Sequence, residues 1–259
     1  MKIIDKQRLV FSFYLTNDNL YNEINQFHLK FLSMYIHRFD EVVFCIIVEN
    51  DVNKEVIIEL QKIIISFNCR NVSFKIYPNT TYRESYVLYN EIATKLGVLD
   101  GLTFFGHNKG ISDVFGKDNV KIWISLLYFF SFEVELPNNF MNGDLIYGPL
   151  KSVGCNYKFR HSITNRFDWT YCGTFFWMKC QEIDSYVKYW DIPIPELTNR
   201  WYSEMFPGNI ICENESQCFD GIYLNGQEIV GAEIENIIDG LYDNHYILGE
   251  FKSYYDKHK

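Results

Sequence analysis

Gly101-Leu-Thr-Phe-Phe-Gly-His-Asn-Lys-Gly110 is a short apolar run that stops in two glycines bracketing a histidine and a lysine. Phe104 and Phe105 suit a strand buried on both faces, whereas His107 and Lys109 do not. An open α/β sheet receives its ligand beyond the carboxyl ends of its strands, and a glycine lets the backbone come close to a phosphate. The basic pair after this strand is therefore a candidate anion site.

The sequence on either side decides what kind of sheet this strand joins. Residues 8–15 (Arg-Leu-Val-Phe-Ser-Phe-Tyr-Leu) predict a buried strand, and Leu20, Ile24, Phe27, Phe31, Met34 and Tyr35 recur at helical spacing over 19–38. A strand over 42–48, a helix over 54–67, a strand over 72–77 and a helix over 83–96 lead up to the strand that ends at Gly106. Strand and helix alternating in this way predict an α/β fold: a Rossmann-type nucleotide-binding sheet, mostly parallel, with helices on both faces. Beyond Gly110 the pattern predicts an aromatic helix over 117–132, a strand over 144–148 and a polar, basic loop over 156–167. An aromatic strand over 169–178, a helix over 180–189 and a short helix over 197–206 follow, the last ended by Pro207-Gly208. Residues 213–259 are acidic and mixed.

A chain of 259 residues with 47% hydrophobic content can bury a large core and is not of disordered composition. Its net charge of −9 argues against a nonspecific nucleic-acid surface and leaves room for a local basic pocket. Seven cysteines, an odd number with no Cys-x-x-Cys pair, suggest reduced thiols. The charged start, Met1-Lys-Ile-Ile-Asp-Lys-Gln-Arg8, lacks the apolar core of a secretory signal. No apolar run approaches the roughly 20 residues of a membrane helix. The expectation is a cytoplasmic protein without a transmembrane segment. Nineteen tyrosines and five tryptophans provide faces that can stack on sugars or bases, although an AT-biased genome accounts for such a composition as well.

The order of these pieces resembles a group of GT-A-fold glycosyltransferases of bacteria, protists and large viruses. Members carry a His-x-Lys-Gly segment after a strand, then a Trp-containing helix, a Gly-Asn-Phe-Trp-Trp strand and an Arg-Tyr-x-x-Glu-Phe-Trp helix. The matching residues are His107-Asn-Lys-Gly110, Trp123, Gly173-Thr-Phe-Phe-Trp177 and Arg200-Trp-Tyr-Ser-Glu-Met-Phe206, within residues 80–210. The chain departs from the pattern at Ile124, where the group has Arg, at Thr170, where it has His, and at Phe176, where it has Trp. The resemblance implies a GT-A-like single domain over 1–259. Residues 1–110 form its nucleotide-binding half, 111–210 its acceptor-side half and 211–259 a C-terminal extension.

A glycosyltransferase must hold a nucleotide-sugar donor, stabilise charge on the departing diphosphate and deprotonate an acceptor hydroxyl. GT-A enzymes commonly use an Asp-x-Asp pair gripping Mn²⁺ or Mg²⁺ for the second task. This sequence contains no Asp-x-Asp. Lys109 then offers its charge to the diphosphate, His107 donates a hydrogen bond or ligates a metal, and Asp113 supplies one carboxylate to a cation. The alternatives are a solvated turn for His107 and Lys109 and a helix cap for Asp113. In the GT-A fold this edge holds the base and ribose, so the resemblance makes Tyr14, Thr16 and Asn17, at the end of the first strand, candidates to contact them; a strand end with helix-capping asparagines is the plain alternative. Arg83, at the positive end of a helix, is a candidate nucleotide contact, against an exposed Arg paired with Glu84 or Asp100.

Glu204 is the candidate base in an inverting displacement, with Arg200, four residues earlier on one helix face, orienting it or binding substrate. A surface ion pair is the alternative. Trp169, Gly173 and Trp177 are candidates to line the site of a glycan or lipid-linked acceptor, against ordinary core packing. The second functional class is a non-catalytic nucleotide-sugar or glycan-binding module with a degenerate site, which the missing Asp-x-Asp favours. No Gly-x-x-x-x-Gly-Lys-Ser/Thr, Gly-x-Gly-x-x-Gly, Gly-x-Ser-x-Gly or His-Glu-x-x-His occurs, which disfavours P-loop, dehydrogenase and hydrolase readings.

Overall fold

The structure is a computed structural model that describes residues 6–108, 117–136, 138–149, 151–153, 169–171, 173–198, 200–211, 216–218, 223–225 and 245–258. Four parallel strands form its centre: β1 (Gln7–Leu15), β2 (Glu41–Val48), β3 (Val72–Pro78) and β4 (Leu102–His107). The sheet continues through β5 (Ile146–Gly148), β8 (Phe176–Lys179) and β9 (Ser216–Cys218). Among the described residues its order is β3-β2-β1-β4-β8-β5-β9. Among the described strands of this sheet, only β8 runs against its neighbours, with Phe105 opposite Phe176 and Tyr147 opposite Trp177. The α/β, mostly parallel reading of the sequence is the fold. A smaller sheet orders β10 (Tyr223–Asn225), β6 (Lys151–Val153) and β7 (Trp169–Tyr171).

Helices cover both faces of the large sheet because its central strands are apolar on both sides. On one face Leu9, Phe11, Phe13, Phe44 and Phe104 pack under α1 (Glu23–Tyr35), α2 (Lys54–Ile65), α4 (Lys117–Phe132) and the C-terminal helix α8 (His245–His258). On the other, Val10, Val43, Ile47 and Phe105 pack under α3 (Glu84–Glu91), α6 (Cys180–Tyr189) and α7 (Tyr202–Ile210). A short α5 (Asn138–Asn142) follows α4. Asparagines start two of the helices: Asn22 Oδ1 accepts from Asn25 N–H at 2.7 Å and Asn53 Oδ1 from Glu55 N–H at 3.3 Å. No helix among the described residues is long and apolar enough to cross a membrane.

Three sequence expectations are corrected. The strand expected over 169–178 is two strands in different sheets. Gly173 at φ 90° and Thr174 at φ 54° reverse the chain between β7 and β8, and Thr174 N–H donates to Tyr171 O at 3.4 Å. The helix expected over 197–206 starts at Tyr202 and runs through Pro207 to Ile210. Pro207 lacks an N–H, but Ile211 N–H donates to Pro207 O, and Gly208 lies flat against β7, where a Cβ would stand 2.1 Å from Trp169 O. The helix expected over 83–96 breaks at Ile92, whose ψ is −63° at φ −126°, and continues as a 3-10 helix from Ala93 to Val98. Residues 156–167 lie outside the described residues.

Candidate functional site

The carboxyl ends of β3, β2, β1 and β4 form one edge of the sheet, and polar side chains gather there. Asn108 stitches β4 to β1. Its N–H donates to Ser12 O at 3.1 Å, which continues the ladder. Its side-chain amide then repeats what the next peptide would do: Oδ1 accepts from Tyr14 N–H at 2.7 Å and Nδ2 donates to Tyr14 O at 3.0 Å. The same Nδ2 donates to Asn25 Oδ1 at 2.9 Å, and Asn25 Nδ2 donates to Asn19 O at 2.8 Å. Asn108 is 5% exposed and Asn25 0%, so this chain of amides satisfies groups that water does not reach. It sets where β1 ends and where the segment after β4 leaves.

Around that stitch stand the residues expected to contact a nucleotide. Tyr14 donates its hydroxyl to Glu49 Oε1 at 2.6 Å, and Asn79 Nδ2 donates to the same oxygen at 2.6 Å. Burial and then the bond to Glu49 push the Tyr14 phenol up to about 12, so it remains a donor. The bonds from Tyr14 and Asn79, with the Arg83 charge nearby, hold the Glu49 carboxyl below its usual range. The Tyr14 tip is thereby occupied, and its ring face is what a base would meet. Thr16 N–H donates to Asn19 Oδ1 at 2.8 Å. Asn17 bridges the exits of β1 and β2, its Nδ2 donating to Asp51 O at 3.1 Å and its Oδ1 accepting from Asn53 N–H at 2.7 Å. Both ends of its amide thus brace the loop.

Arg83 is exposed and precedes α3 in an unusual backbone conformation, φ 50° and ψ −131°. A non-glycine residue there costs on the order of 1–3 kcal/mol, and such residues concentrate at functional sites. Asp100, one partner weighed for Arg83, instead pairs with Lys6 and Arg8 at the opposite edge, at 3.4 and 3.1 Å.

Beyond β4 the motif residues separated in sequence come together. The ring of His107 lies 6.4 Å from that of Phe175. A Cβ on Gly173 would stand 2.9 Å from Leu127 Cδ2 and 3.3 Å from Trp123 Nε1, so the missing side chain is what admits α4 against the turn. Lys109 and Asp113 lie outside the described residues. Trp169 is buried edge-on to Tyr171 at 5.2 Å. Trp177 belongs to the core: it stacks on Phe39 at 5.6 Å and donates Nε1–H to Ser131 O at 3.1 Å, which corrects its placement in an acceptor wall.

Arg200 and Glu204 do not share a helix face, because α7 begins at Tyr202 and Arg200 lies before it. The exposed Arg200 guanidinium lies 4.0 Å from the Trp201 ring centroid, while Glu204 is buried at 8% exposure and its carbonyl accepts from Thr170 Oγ1. A buried hydroxyl joins this helix to α3. Ser85 Oγ donates to Arg200 O at 2.7 Å and accepts from Ser203 N–H at 2.9 Å, which brings the start of α7 beside the helix that follows Arg83.

Asn25, Glu49, Asn79, Asn108 and Ser85 are not assigned a role by the sequence; an Asn directly after a buried strand is the available signal for Asn108. No group of three or more His, Cys, Asp or Glu among the described residues is arranged to hold a metal ion, and the Glu49 carboxylate is engaged by Tyr14 and Asn79. A cavity of about 620 Å³ lies at the amino edge, far along the strands from these residues. Its walls include Lys6 and Glu41, which pair with each other at 2.9 Å.

The fold and this edge define an α/β protein with polar residues gathered at the carboxyl ends of parallel strands. No protein-family profile and no curated protein matches the chain. A nucleoside-diphosphate-sugar pyrophosphorylase from Vibrio cholerae RC9 superposes with a TM-score of 0.41 at 11% identity, over 84% of this chain and 92% of that one. At that distance the likeness bears on neither activity nor site.

Proposed function

We propose that the chain is a glycosyltransferase that binds a nucleotide-sugar at the carboxyl edge and moves the sugar to a glycan or lipid-linked acceptor with inversion. The observation that carries this reading is the convergence of Tyr14, Glu49 and Arg83 on one side of the β1–β4 stitch with His107, Trp123 and Gly173 on the other. The first group suits a nucleotide: an aromatic face for the base and a guanidinium for phosphate. The second borders the place where the sugar and leaving group would sit.

Glu204 takes the proton of the acceptor hydroxyl, and that oxygen attacks the anomeric carbon. The bond from that carbon to the phosphate oxygen breaks, and the nucleotide leaves with the electron pair. Arg83, His107 and Lys109 meet the charge that develops on it. Arg200 positions the acceptor, and Trp169 and Gly173 border its path. The described donors do not form a Mn²⁺ or Mg²⁺ cradle, and no step in this scheme runs through a cation. The site is proposed to work in the cytoplasm.

Release of free nucleotide from UDP-, GDP-, CMP- and dTDP-sugars, measured with glycan and lipid-linked acceptors, tests the proposal. Glu204→Gln is expected to keep donor binding and to abolish transfer; undiminished turnover removes Glu204 from the role. The missing Asp-x-Asp favours a second reading, a nucleotide-sugar or glycan-binding module without activity. Tight donor binding by the wild type with no turnover for any acceptor selects that reading.

A further inference from the structure

Among the described residues β3 is the outermost strand on its side of the large sheet. Val42 N–H donates to Asn71 O at 2.8 Å and Asn79 N–H donates to Val48 O at 2.7 Å, so the odd-numbered residues from 71 to 79 turn their peptide groups toward β2. Val72, Phe74 and Ile76 turn theirs outward, where no described residue bonds to them. Pro78 has no N–H and ends the stretch that another strand can pair with. Lys75, a charge that commonly guards an edge strand, is instead bound to Glu91 at 2.6 Å.

The same edge is apolar where it meets solvent. Ile76 is 55% exposed, on the strand face it shares with Val72 and Phe74. That face lies under α2, which leads from β2 to β3, outside α1, which leads from β1 to β2. The Tyr21 hydroxyl, just before α1, donates to Glu59, and Val56 and Ile63 pack into the core, so this flank of α2 is the one turned to α1. Ile58 and Ile65, seven residues apart and so on one line of the helix, lie on the other flank at 46% and 56% exposure. They overhang the open edge of β3.

We propose that this edge is a self-association surface, on which β3 pairs antiparallel with β3 of a second copy about a twofold axis at Phe74. The stretch is self-complementary. With Phe74 opposite Phe74, Val72 falls opposite Ile76 of the second copy and Ile76 opposite its Val72, so every outward peptide meets an outward peptide and each pair exchanges N–H···O bonds both ways. A shift of two residues toward the carboxyl end sets Pro78 opposite Val72 and forfeits a donor. The apolar flanks favour a second copy over an extended peptide. A peptide satisfies the strand alone, whereas a second copy also lays the Ile58 and Ile65 flank of its own α2 beside this one, over the joined sheet.

Sedimentation at roughly 1–100 µM, comparing the wild type with Ile76→Lys and Ile65→Lys, tests the proposal. The wild type is expected to pass from the mass of one chain to that of two as concentration rises. Either substitution is expected to weaken association at least tenfold and to leave the melting temperature of the dilute protein unchanged, since both side chains are exposed in the single chain. Ile65→Lys carries the test alone if Ile76→Lys fails to fold. Hydrogen exchange reads the register: on association the N–H groups of Val72, Phe74 and Ile76 should slow at least tenfold, while those of Ser73, Lys75 and Tyr77 are already slow in the single chain. A wild type that stays single over this range, assembly beyond two copies, association that the folded variants do not weaken, or outward amides that exchange as fast in the pair as in the single chain overturns the proposal.

Discussion

Asn108→Ala removes a side chain that acts as a peptide group. Three hydrogen bonds go with it: Tyr14 N–H to Oδ1 at 2.7 Å, Nδ2 to Tyr14 O at 3.0 Å and Nδ2 to Asn25 Oδ1 at 2.9 Å. At about 1 kcal/mol net for each bond, the loss is about 3 kcal/mol. Tyr14 O keeps a bond from Asn19 Nδ2 at 3.2 Å, but the Tyr14 N–H and the fully buried Asn25 Oδ1 lose partners, which moves the cost to about 3–4 kcal/mol. Against a typical stability of about 5–15 kcal/mol, that is a large fraction. Urea unfolding followed by circular dichroism measures it, with the slope of the transition checked for constancy. Asn108→Asp is the sharper companion. It keeps an acceptor for Tyr14 N–H but sets a carboxylate oxygen against Tyr14 O and Asn25 Oδ1, so it should cost at least as much near neutral pH. A loss below about 1 kcal/mol for Asn108→Ala refutes the claim that this amide closes the β1–β4 edge.

Arg83→Gly should raise stability by about 1 kcal/mol, because glycine accepts the positive φ, while weakening nucleotide binding at least tenfold; a lower melting temperature contradicts the strain argument. Burial works to raise the Glu91 carboxyl, but bonds from Lys75 at 2.6 Å, Lys95 at 2.8 Å and Tyr77 hold it below its ordinary 4.5. Its contribution is therefore present above about pH 4.5 and is lost as pH falls through the lowered value. Glu91→Gln should cost about 1–2 kcal/mol at pH 7, since both lysines are partly exposed, and the gap to wild type should close as pH falls below 4.5 in urea titrations. A gap that does not change with pH removes the ion pairs from the explanation.

The parallel half of the sheet was legible because its strands are continuous apolar runs and its helices keep a 3.6-residue period. The spacing placed α4 and α6 at their observed ends. The turn at Gly173 was not legible: ten residues dense in aromatics look like one strand, and it is the φ of 90° that makes the glycine a corner. Pro207-Gly208 was read as a stop, yet the contact of Gly208 with Trp169 O carries α7 past it. At the site, His107 stood out as a basic residue directly after a buried strand, and Tyr14 and Arg83 through the positions that the GT-A resemblance gives to donor contacts. The asparagines did not, since Asn108 meets Tyr14 across 94 positions and Asn25 across 83. A side chain that substitutes for a peptide group leaves no periodic trace, and the asparagine content looked like composition. Lys109 and Asp113 lie outside the described residues.

The central claim is that the carboxyl edge of β1 to β4 binds a nucleotide-sugar through Tyr14 and Arg83. Thermal-shift titration with UDP-, GDP-, CMP- and dTDP-sugars, with and without Mn²⁺, tests it on the wild type and on Arg83→Ala. A ligand that binds the native state raises the melting temperature by mass action. The account predicts a concentration-dependent rise with one nucleotide class in the wild type, reduced at least tenfold in apparent affinity by Arg83→Ala. No rise with any nucleotide-sugar, or a rise that Arg83→Ala leaves unchanged, contradicts it.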